Sequence, residues 1–370
     1  MSVTSDLVTD QRVHRAASTL KESGYHVLVV GRRLPQSVAL PGRKYRTRRF
    51  SLWFVKGPFF YAEYNIRLLF FLLFQKAEIL HSNDLDTLPA NFLASRLKGI
   101  PLVYDSHEYF TGVPELVNRP KVQRTWKKIE RFILPRIKYA YTVNESIARL
   151  YKEEYNVDFL SIRNVPEPAR YPRRDKALLR RELKLPTDKK IVLLQGAGIN
   201  IQRGAEEAVL AMQYLEDVLL LIVGSGDVLP VLKKLTTDHQ LGQKVMFVGK
   251  KAPTELRLYT ESADVGISLD KDTNVNYRYS LPNKLFDYIH AGLPVLASNL
   301  PEIRKIVEGY AVGRTTESHD PRVIAQHLEN LLADETLASY QPALQKAASE
   351  LNWDLERQKL IQLFNHVQQA

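Results

Sequence analysis

The chain has 370 residues, of which 45% are hydrophobic and 25% charged, so it is long enough for two globular domains and is not intrinsically disordered. It contains no cysteine, which excludes a disulfide framework, thiolate metal sites and a cysteine nucleophile. Its net charge of +11 lies entirely in residues 1–170, which hold 27 Lys and Arg against 16 Asp and Glu, whereas residues 171–370 hold 25 of each.

Helical and strand-like segments alternate along the first half of the chain, which predicts a doubly wound parallel sheet. Because such a sheet opens with a strand while residues 1–10 are mostly polar, either the first strand is very short or the chain begins late. No leader peptide is expected, and the longest apolar run, residues 68–74, is too short to cross a bilayer. Residues 31–58 are expected to be irregular. Helices are predicted at 10–23, 59–75, 86–98 and 120–138, and strands at 26–30, 78–82, 101–105 and 139–143.

An acid-free stretch, residues 23–62, contains eight Lys and Arg interleaved with aromatic residues, and a second basic cluster spans residues 121–138. Such surfaces fit nucleic acid, an anionic membrane or a phosphorylated substrate, and a solvated face beside a core is the simplest alternative. Because basic and aromatic residues together suit the lipid interface, we expect contact with an anionic membrane surface.

A proline-rich joint at residues 163–168 and 171–172 separates a second alternating half. We therefore predict an α/β protein with two Rossmann-like, doubly wound parallel-sheet domains that face each other across a cleft. Strands of the second half are predicted at 191–194, 218–223, 245–248, 265–268 and 295–297, with helices between them and at 321–332 and 352–367.

Four segments at the predicted strand ends of the second half carry glycines and polar side chains, and they converge because the carboxyl ends of parallel strands share one edge of a sheet. A glycine turn or a helix N-terminus beside a cation suits a phosphate, although glycines after strands also serve packing. The last segment is a helix at 281–291, which Pro282 opens and Gly292 ends. The candidate ligand-binding residues at this edge are Gly198, Arg203, Gly224, Gly226, Lys250, Asn283, Lys284 and Asp287.

In the first half, His107 follows a predicted strand beside Asp105, which makes it a candidate site residue, although a lone histidine is more often structural or exposed. Two D-x-D pairs, at 84–86 and 270–272, have the spacing to hold a divalent metal with a substrate phosphate. The motif is short and Asp86 is suited to capping a helix, so we expect no metal site.

Residues 280–298 resemble the second-domain segment of family 4 glycosyltransferases, which have the GT-B fold. Arg203-Gly204 after a glycine turn and Gly224-Ser-Gly226 agree with that family. In the first half, Asp105-Ser-His-Glu108 and Asn144-Glu-Ser146 resemble members that build bacterial envelope polysaccharides. The resemblance covers nearly the whole chain.

The resemblance implies a retaining transferase that moves a sugar from a nucleoside-diphosphate donor in the second domain to an acceptor in the first, without a metal or other cofactor. The implied domains are residues 1–165 and 166–345, followed by residues 346–370, whose helix crosses back to the first domain.

Carried over by position, Arg203 and Lys284 neutralise the diphosphate leaving group, and Asp287 binds the ribose hydroxyls. His107 is expected at the reacting sugar. Main-chain groups from Val248 to Lys250 are expected to contact the nucleobase.

Two positions depart from the family pattern: Tyr279 stands where the family has the first Glu of its E-x7-E motif, and Ala197 where many relatives have an arginine. Since no carboxylate nucleophile is evident, a front-face displacement assisted by the leaving phosphate is preferred over a covalent glycosyl-enzyme. The sequence thus predicts a cytoplasmic transferase, peripheral at the inner face of the membrane, acting on a lipid-linked or polysaccharide acceptor. The alternatives are a GT-B-shaped nucleotide-sugar epimerase and a nucleic-acid-binding protein. The second ranks last because it gives no function to the convergent strand-end loops of the second half.

Overall fold

A computed structural model describes residues 1–8, 10–40, 42–168 and 173–369. Residues 171 and 172, part of the predicted proline-rich joint, lie outside the described residues. The chain divides into two compact units, unit 1 (Met1–Asn164 and Asp354–Ala370) and unit 2 (Val165–Trp353).

Both units are built from parallel strands that alternate with helices, and the predicted α/β class is confirmed. The strands are β1 Ser2–Asp6, β2 Leu28–Arg33, β3 Arg46–Ser51, β4 Leu80–Asn83, β5 Leu102–Ser106, β6 Tyr139–Thr142, β7 Leu160–Ser161, β8 Lys190–Gly196, β9 Val218–Gly224, β10 Val245–Phe247, β11 Val265–Ser268, β12 Val295–Ser298 and β13 Gly313–Thr316. The helices are α1 Gln11–Glu22, α2 Gly57–Phe74, α3 Leu88–Lys98, α4 Pro114–Val117, α5 Pro120–Ile133, α6 Glu145–Tyr155, α7 Lys176–Glu182, α8 Ala205–Ala211, α9 Leu229–Asp238, α10 Pro253–Ser262, α11 Val275–Arg278, α12 Asn283–Ala291, α13 Pro301–Val307, α14 Pro321–Leu332, α15 Asp334–Ser339, α16 Gln341–Glu350 and α17 Trp353–Gln369.

The strand order is β3-β2-β1-β4-β5-β6-β7 in unit 1 and β10-β9-β8-β11-β12-β13 in unit 2. In each sheet the order reverses once, between β1 and β4 and between β8 and β11. Successive residues of β8 point to opposite faces, so Val192 and Leu194 join one apolar core while Ile191 and Leu193 join the other. Since both faces of the sheet are covered, the edge formed by the carboxyl ends of the strands is the place where a ligand can bind.

The first strand, β1, has five residues and lies inside the unit 1 sheet, between β2 and β4. The sequence did not reveal this strand because β1 is mostly polar. Its polar groups are paired within the core rather than solvated. Asn83 Nδ2 donates to the Ser2 carbonyl (3.0 Å) and Asn91 Nδ2 donates to Ser2 Oγ (2.6 Å). Residues 2–6 therefore supply a first strand, which is short, as expected.

The prediction that residues 31–58 are irregular is wrong for β3, which pairs with β2 along its whole length. β3 is an edge strand, where Arg46 and Arg48 are exposed to water and Arg49 pairs with Asp6. Periodicity failed here because an edge strand rich in Arg lacks the apolar alternation that identifies a strand.

The C-terminal boundary also differs from the predicted one. Leu344, Ala347 and Leu351 belong to the apolar core of unit 2, so the chain stays with that unit through α16. From Asp354 onward α17 belongs to unit 1, where the Phe364 ring packs against His81 with ring centroids 5.5 Å apart. Unit 2 thus extends to Trp353 and not to residue 345, while the last helix begins one residue after its predicted start at 352.

Helix α2 buries one face in unit 1 and exposes large apolar side chains on another. Within the part of the chain that the structure describes, no helix is long and apolar enough to cross a membrane.

Candidate functional site

The site in unit 2 lies where the strand order reverses, at the carboxyl ends of β8 and β11. Two loops cross this edge in close contact, one after β8 and one after β9. A Cβ on Gly224 would lie 1.8 Å from the Gly196 carbonyl oxygen, and one on Gly226 would lie 1.9 Å from that of Ile199. Gly224 and Gly226, predicted ligand-binding residues, are thus required by the packing of the two loops. Gly198 has no such constraint, since the nearest atom to its Cβ position is 3.7 Å away.

Arg203 and Lys284 come together at a buried carboxylate. Arg203 Nη1 lies 3.1 Å from one oxygen of Asp270, and Lys284 Nζ lies 3.5 Å from the other. Gly204 makes this approach possible, because its φ is +69° and a Cβ there would lie 2.3 Å from the Leu269 carbonyl oxygen. Burial lowers the pKa of Lys284, and the nearby Asp270 opposes that shift. Two predicted phosphate-binding cations thus share one aspartate at the end of β11.

Asp270 therefore orients both cations, a role that the sequence did not reveal. It was recognised only as half of a D-x-D pair, but its neighbour Asp272 pairs instead with Arg278, 2.9 Å away. The guanidinium of Arg203 also lies over the Tyr277 ring, 4.9 Å from its centroid. The signal that could have identified Asp270 is its place two residues after the end of the buried strand β11.

Helix α12 begins at this edge and carries the remaining predicted residues. Asn283 is exposed in its first turn, whereas Asp287 is half-buried and accepts a hydrogen bond from Gln195 Nε2 (3.0 Å). The Gln195 side chain is itself buried and accepts from Thr260 Oγ1 (2.7 Å). Gln195 thus positions Asp287, a contact between β8 and α12 that sequence spacing does not reveal.

The predicted base-contacting segment lies after β10. The Val248 N–H donates to the Ile222 carbonyl (2.9 Å), so the sheet already uses this group, while Lys250 is exposed. Tyr279, which replaces the expected acid, ends the short helix α11 with its N–H on the Val275 carbonyl (3.2 Å). Ala197 is exposed in the loop after β8.

In unit 1, His107 is held between two carboxylates. Its Nδ1 lies 3.1 Å from Asp84 and its Nε2 lies 3.2 Å from Asp105, which also pairs with Arg12 at 2.7 Å. Burial disfavours the imidazolium, but Asp84 and Asp105 outweigh it and raise the pKa of His107 to about 10. A histidine that is charged at neutral pH has no free basic nitrogen, so this geometry favours an electrostatic role over that of a general base.

The D-x-D pair of unit 1 also has separate partners. Asp84 contacts His107, and the Asp86 carboxylate accepts a hydrogen bond from Thr4. The prediction that Asp86 caps a helix is wrong, because α3 has Thr87 at its N-cap position. Among the described residues, no group of three or more His, Asp or Glu side chains is arranged to hold a metal ion.

Both halves of the chain match family models. Residues 175–350 match the model described as "Glycosyl transferases group 1", and residues 9–167 match "Glycosyl transferase 4-like domain". An uncharacterized glycosyltransferase of Methanocaldococcus jannaschii is 22% identical over an alignment of 361 positions that covers 91% of this chain and 89% of the relative. The putative teichuronic acid biosynthesis glycosyltransferase TuaH of Bacillus subtilis is 29% identical over 110 residues, which are 30% of this chain and 27% of the relative.

Solved structures with the same fold cover nearly the whole chain. Sucrose-phosphate synthase from Thermosynechococcus elongatus has a TM-score of 0.77 at 19% identity, covering 96% of this chain and 92% of that one. Anabaena HepE, solved with UDP and glucose, has a TM-score of 0.78 at 16% identity, covering 98% of each chain. These likenesses show the fold of the two units.

Proposed function

We propose, from the premise that the chain is a glycosyltransferase of the GT-B fold, that it transfers a sugar from a nucleoside-diphosphate donor to a lipid-linked or polysaccharide acceptor of the cell envelope. The transfer retains the anomeric configuration and needs no metal. The observation that carries the proposal is the pair of cations, Arg203 and Lys284, oriented by buried Asp270 at the carboxyl edge of the unit 2 sheet. HepE, solved with UDP and glucose, supports the donor class, and the name of TuaH supports the acceptor class.

In this proposal the donor diphosphate binds at the N-terminus of α12. The first N–H groups of that nine-residue helix, with Arg203 and Lys284, neutralise the charge that develops on the leaving diphosphate. Asp287, oriented by Gln195, accepts from the ribose hydroxyls. The bond from the anomeric carbon to the diphosphate oxygen breaks as the acceptor oxygen attacks the same face, and the acceptor proton passes to the departing phosphate.

The proposal places the enzyme on the cytoplasmic face of a membrane through unit 1. The outward face of α2 exposes Phe59, Ile66, Phe70 and Phe74, whose spacing puts them on one side of the helix. Contiguous apolar side chains of this kind mark interaction surfaces, and basic residues around them fit anionic headgroups. This apolar face supports a lipid-linked acceptor over a soluble one.

The decisive experiment measures transfer and donor hydrolysis with a panel of nucleotide sugars. Arg203→Ala and Lys284→Ala are each expected to lower kcat/KM by about 100-fold to 1,000-fold, because they remove charge stabilisation from the leaving group. Lys234→Ala is the matched control, since Lys234 is a lysine of unit 2 with its side chain 75% exposed, and we expect its activity to stay within about twofold.

Full activity in both alanine variants would overturn the phosphate assignment. Loss of activity on chelation, restored by a divalent cation, would overturn metal independence. Epimerised donor formed without any acceptor would replace the transferase with the epimerase alternative.

A further inference from the structure

A cavity of about 320 Å³ opens at the carboxyl ends of β2 and β3 in unit 1, apart from the His107 cluster. Arg32 and Arg33, the last two residues of β2, line it together with the apolar side chains of Leu52, Phe54 and Val55. Of the described residues that line the cavity, none is acidic. Its volume lies in the range of small-molecule sites, and its walls combine two cations with apolar surface.

Arg32 is built into this cavity rather than extended into solvent. Its guanidinium lies over the Phe60 ring, 4.6 Å from the centroid, and its Nη1 donates to the Val55 carbonyl (3.2 Å). The Arg32 Nε–H is buried without a hydrogen-bond partner among the described residues. A buried donor that lacks a partner is costly, so a ligand that supplies an acceptor oxygen would be stabilised here.

Two carboxylates fix the cavity walls and are occupied in doing so. The Asp6 carboxylate accepts from Ser37, whose Oγ accepts from the Leu34 N–H (2.7 Å). On the other side, Glu63 accepts from the N–H groups of Trp53 and Phe54 (3.0 and 2.9 Å). These acids also pair with other arginines, Asp6 with Arg49 at 3.5 Å and Glu63 with Arg67 at 2.7 Å.

The apolar wall of the cavity continues onto the exposed face of α2. The Phe54 ring, which lines the cavity, contacts the Phe59 ring of α2 with centroids 5.4 Å apart. Phe59 is 66% exposed and Trp53, next to Phe54, is 84% exposed. An anionic group in the cavity would therefore carry its apolar chain toward the face of α2 that we assign to the membrane.

We propose that this cavity binds the phosphate of a membrane amphiphile, with Arg32 and Arg33 on the phosphate oxygens and Leu52, Phe54 and Val55 along the first carbons of the chain. The proposal rests on the proposed function, since it makes the cavity the subsite for the lipid phosphate of the acceptor. Arginine suits this task because its planar guanidinium donates two parallel hydrogen bonds to a phosphate.

The test is titration calorimetry of the full chain with hexyl phosphate, hexanol and inorganic phosphate. We expect hexyl phosphate to bind about tenfold or more tightly than inorganic phosphate, and hexanol not to bind measurably. Arg33→Gln, at an exposed position, and the double variant Arg32→Gln/Arg33→Gln are expected to weaken hexyl phosphate binding about tenfold or more. The matched control is Arg46→Gln/Arg48→Gln, which removes two exposed arginines from β3 outside the cavity and should change binding by less than about twofold.

Equal losses in the two double variants would overturn the proposal, because binding would then reflect diffuse charge. Equal affinity for inorganic and hexyl phosphate would also overturn it, because no apolar subsite would exist. Flotation with phosphatidylcholine vesicles, with and without phosphatidic acid, separates the sources of the phosphate. If flotation with phosphatidic acid requires Arg33, bulk phospholipid is a ligand of the cavity. If flotation does not require Arg33 but hexyl phosphate binding does, the ligand of the cavity is the acceptor and not bulk phospholipid.

Nucleotide-sugar hydrolysis without acceptor is measured on the same variants and should be unchanged in the control Arg46→Gln/Arg48→Gln. If wild-type protein neither binds nor hydrolyses any nucleotide sugar, the proposed function fails while the hexyl phosphate titration still decides the cavity. If wild-type protein hydrolyses a nucleotide sugar but does not bind hexyl phosphate, the cavity proposal fails while the proposed function stands.

Discussion

Each unit holds a fully buried aspartate at or just past the end of a parallel strand, but the two aspartates meet their cations in different surroundings. In unit 1, Asp105 pairs with Arg12, whose side chain is only 5% exposed, and with His107, which is 19% exposed. In unit 2, Asp270 pairs with Arg203, which is 31% exposed, and with Lys284. The unit 1 cluster is closed around Arg12, whereas the unit 2 cluster opens to solvent through Arg203.

This difference separates a charge cluster that holds a fold from one that presents cations to a ligand. Arg12 donates to Asp105 through two nitrogens and to the Ile162 carbonyl, so it ties α1 to β5 and to the segment after β7. Breaking a closed ion pair leaves an uncompensated buried charge, whereas a partly exposed cation can turn to water or to an anionic ligand. We therefore expect mutations in unit 1 to cost stability and mutations in unit 2 to cost donor binding.

The largest effect is expected from Asp105→Asn. Arg12 and His107 would lose their buried counter-charge, and the free energy of unfolding should fall by about 3–5 kcal/mol. Asp270→Asn should cost less, about 1–2 kcal/mol, because Arg203 can reach solvent. Urea denaturation followed by tryptophan fluorescence and far-UV circular dichroism measures both values. Equal costs for the two variants would remove the distinction between the clusters.

A second prediction concerns the pH dependence of unit 1. The pKa of His107 is raised to about 10 in the folded chain, above the ordinary value near 6.5. Its contribution to stability is therefore complete below about pH 6.5 and is lost as the pH rises toward 10. His107→Gln should remove that dependence, so the stability difference between wild type and variant should shrink by about 4 kcal/mol from pH 6 to pH 10.

Urea denaturation at pH 6, 8 and 10 tests this prediction, with His26→Gln as the control at an exposed histidine. A difference between wild type and His107→Gln that does not change with pH would mean that the two carboxylates do not hold a charged imidazolium.

The sequence predicted the fold well where apolar periodicity was strong. Buried strands such as β8 and β9 are continuous apolar runs, and Pro282 and Gly292 mark the two ends of the helix that became α12. The two strands that were missed, β1 and β3, have one physical cause in common, polar residues inside regular structure. In β1 the polar groups are paired within the core, and in β3 Arg46 and Arg48 are exposed on an edge strand.

The candidate site was predicted by residue type and position but not by its contacts. Spacing located Arg203, Lys284 and Asp287 at one sheet edge, because strand ends and helix starts are visible in the sequence. Asp270 and Gln195 were missed as partners of these residues, since their contacts join segments 67 and 92 residues apart in the chain. Such contacts are set by tertiary packing, which no local pattern specifies.

The smallest expected effect is also the most direct test of how unit 2 is organised for its ligand. Gln195→Leu removes the amide that donates to Asp287 and leaves the Thr260 hydroxyl with the Leu256 carbonyl as its acceptor. We expect about 1 kcal/mol of lost stability and about tenfold weaker binding of the nucleoside diphosphate, measured by calorimetry. Thr260→Val is the matched control, because it breaks the Thr260–Gln195 hydrogen bond and leaves Asp287 its donor. If Thr260→Val loses a similar amount of stability but keeps its affinity within about twofold, the effect of Gln195→Leu on affinity is due to the orientation of Asp287. Equal weakening of nucleoside diphosphate binding in both variants would mean that Gln195 acts through the packing of β8 against α10. The contrast between a structural cluster in unit 1 and a ligand-directed cluster in unit 2 would then rest on Arg203 and Lys284 alone.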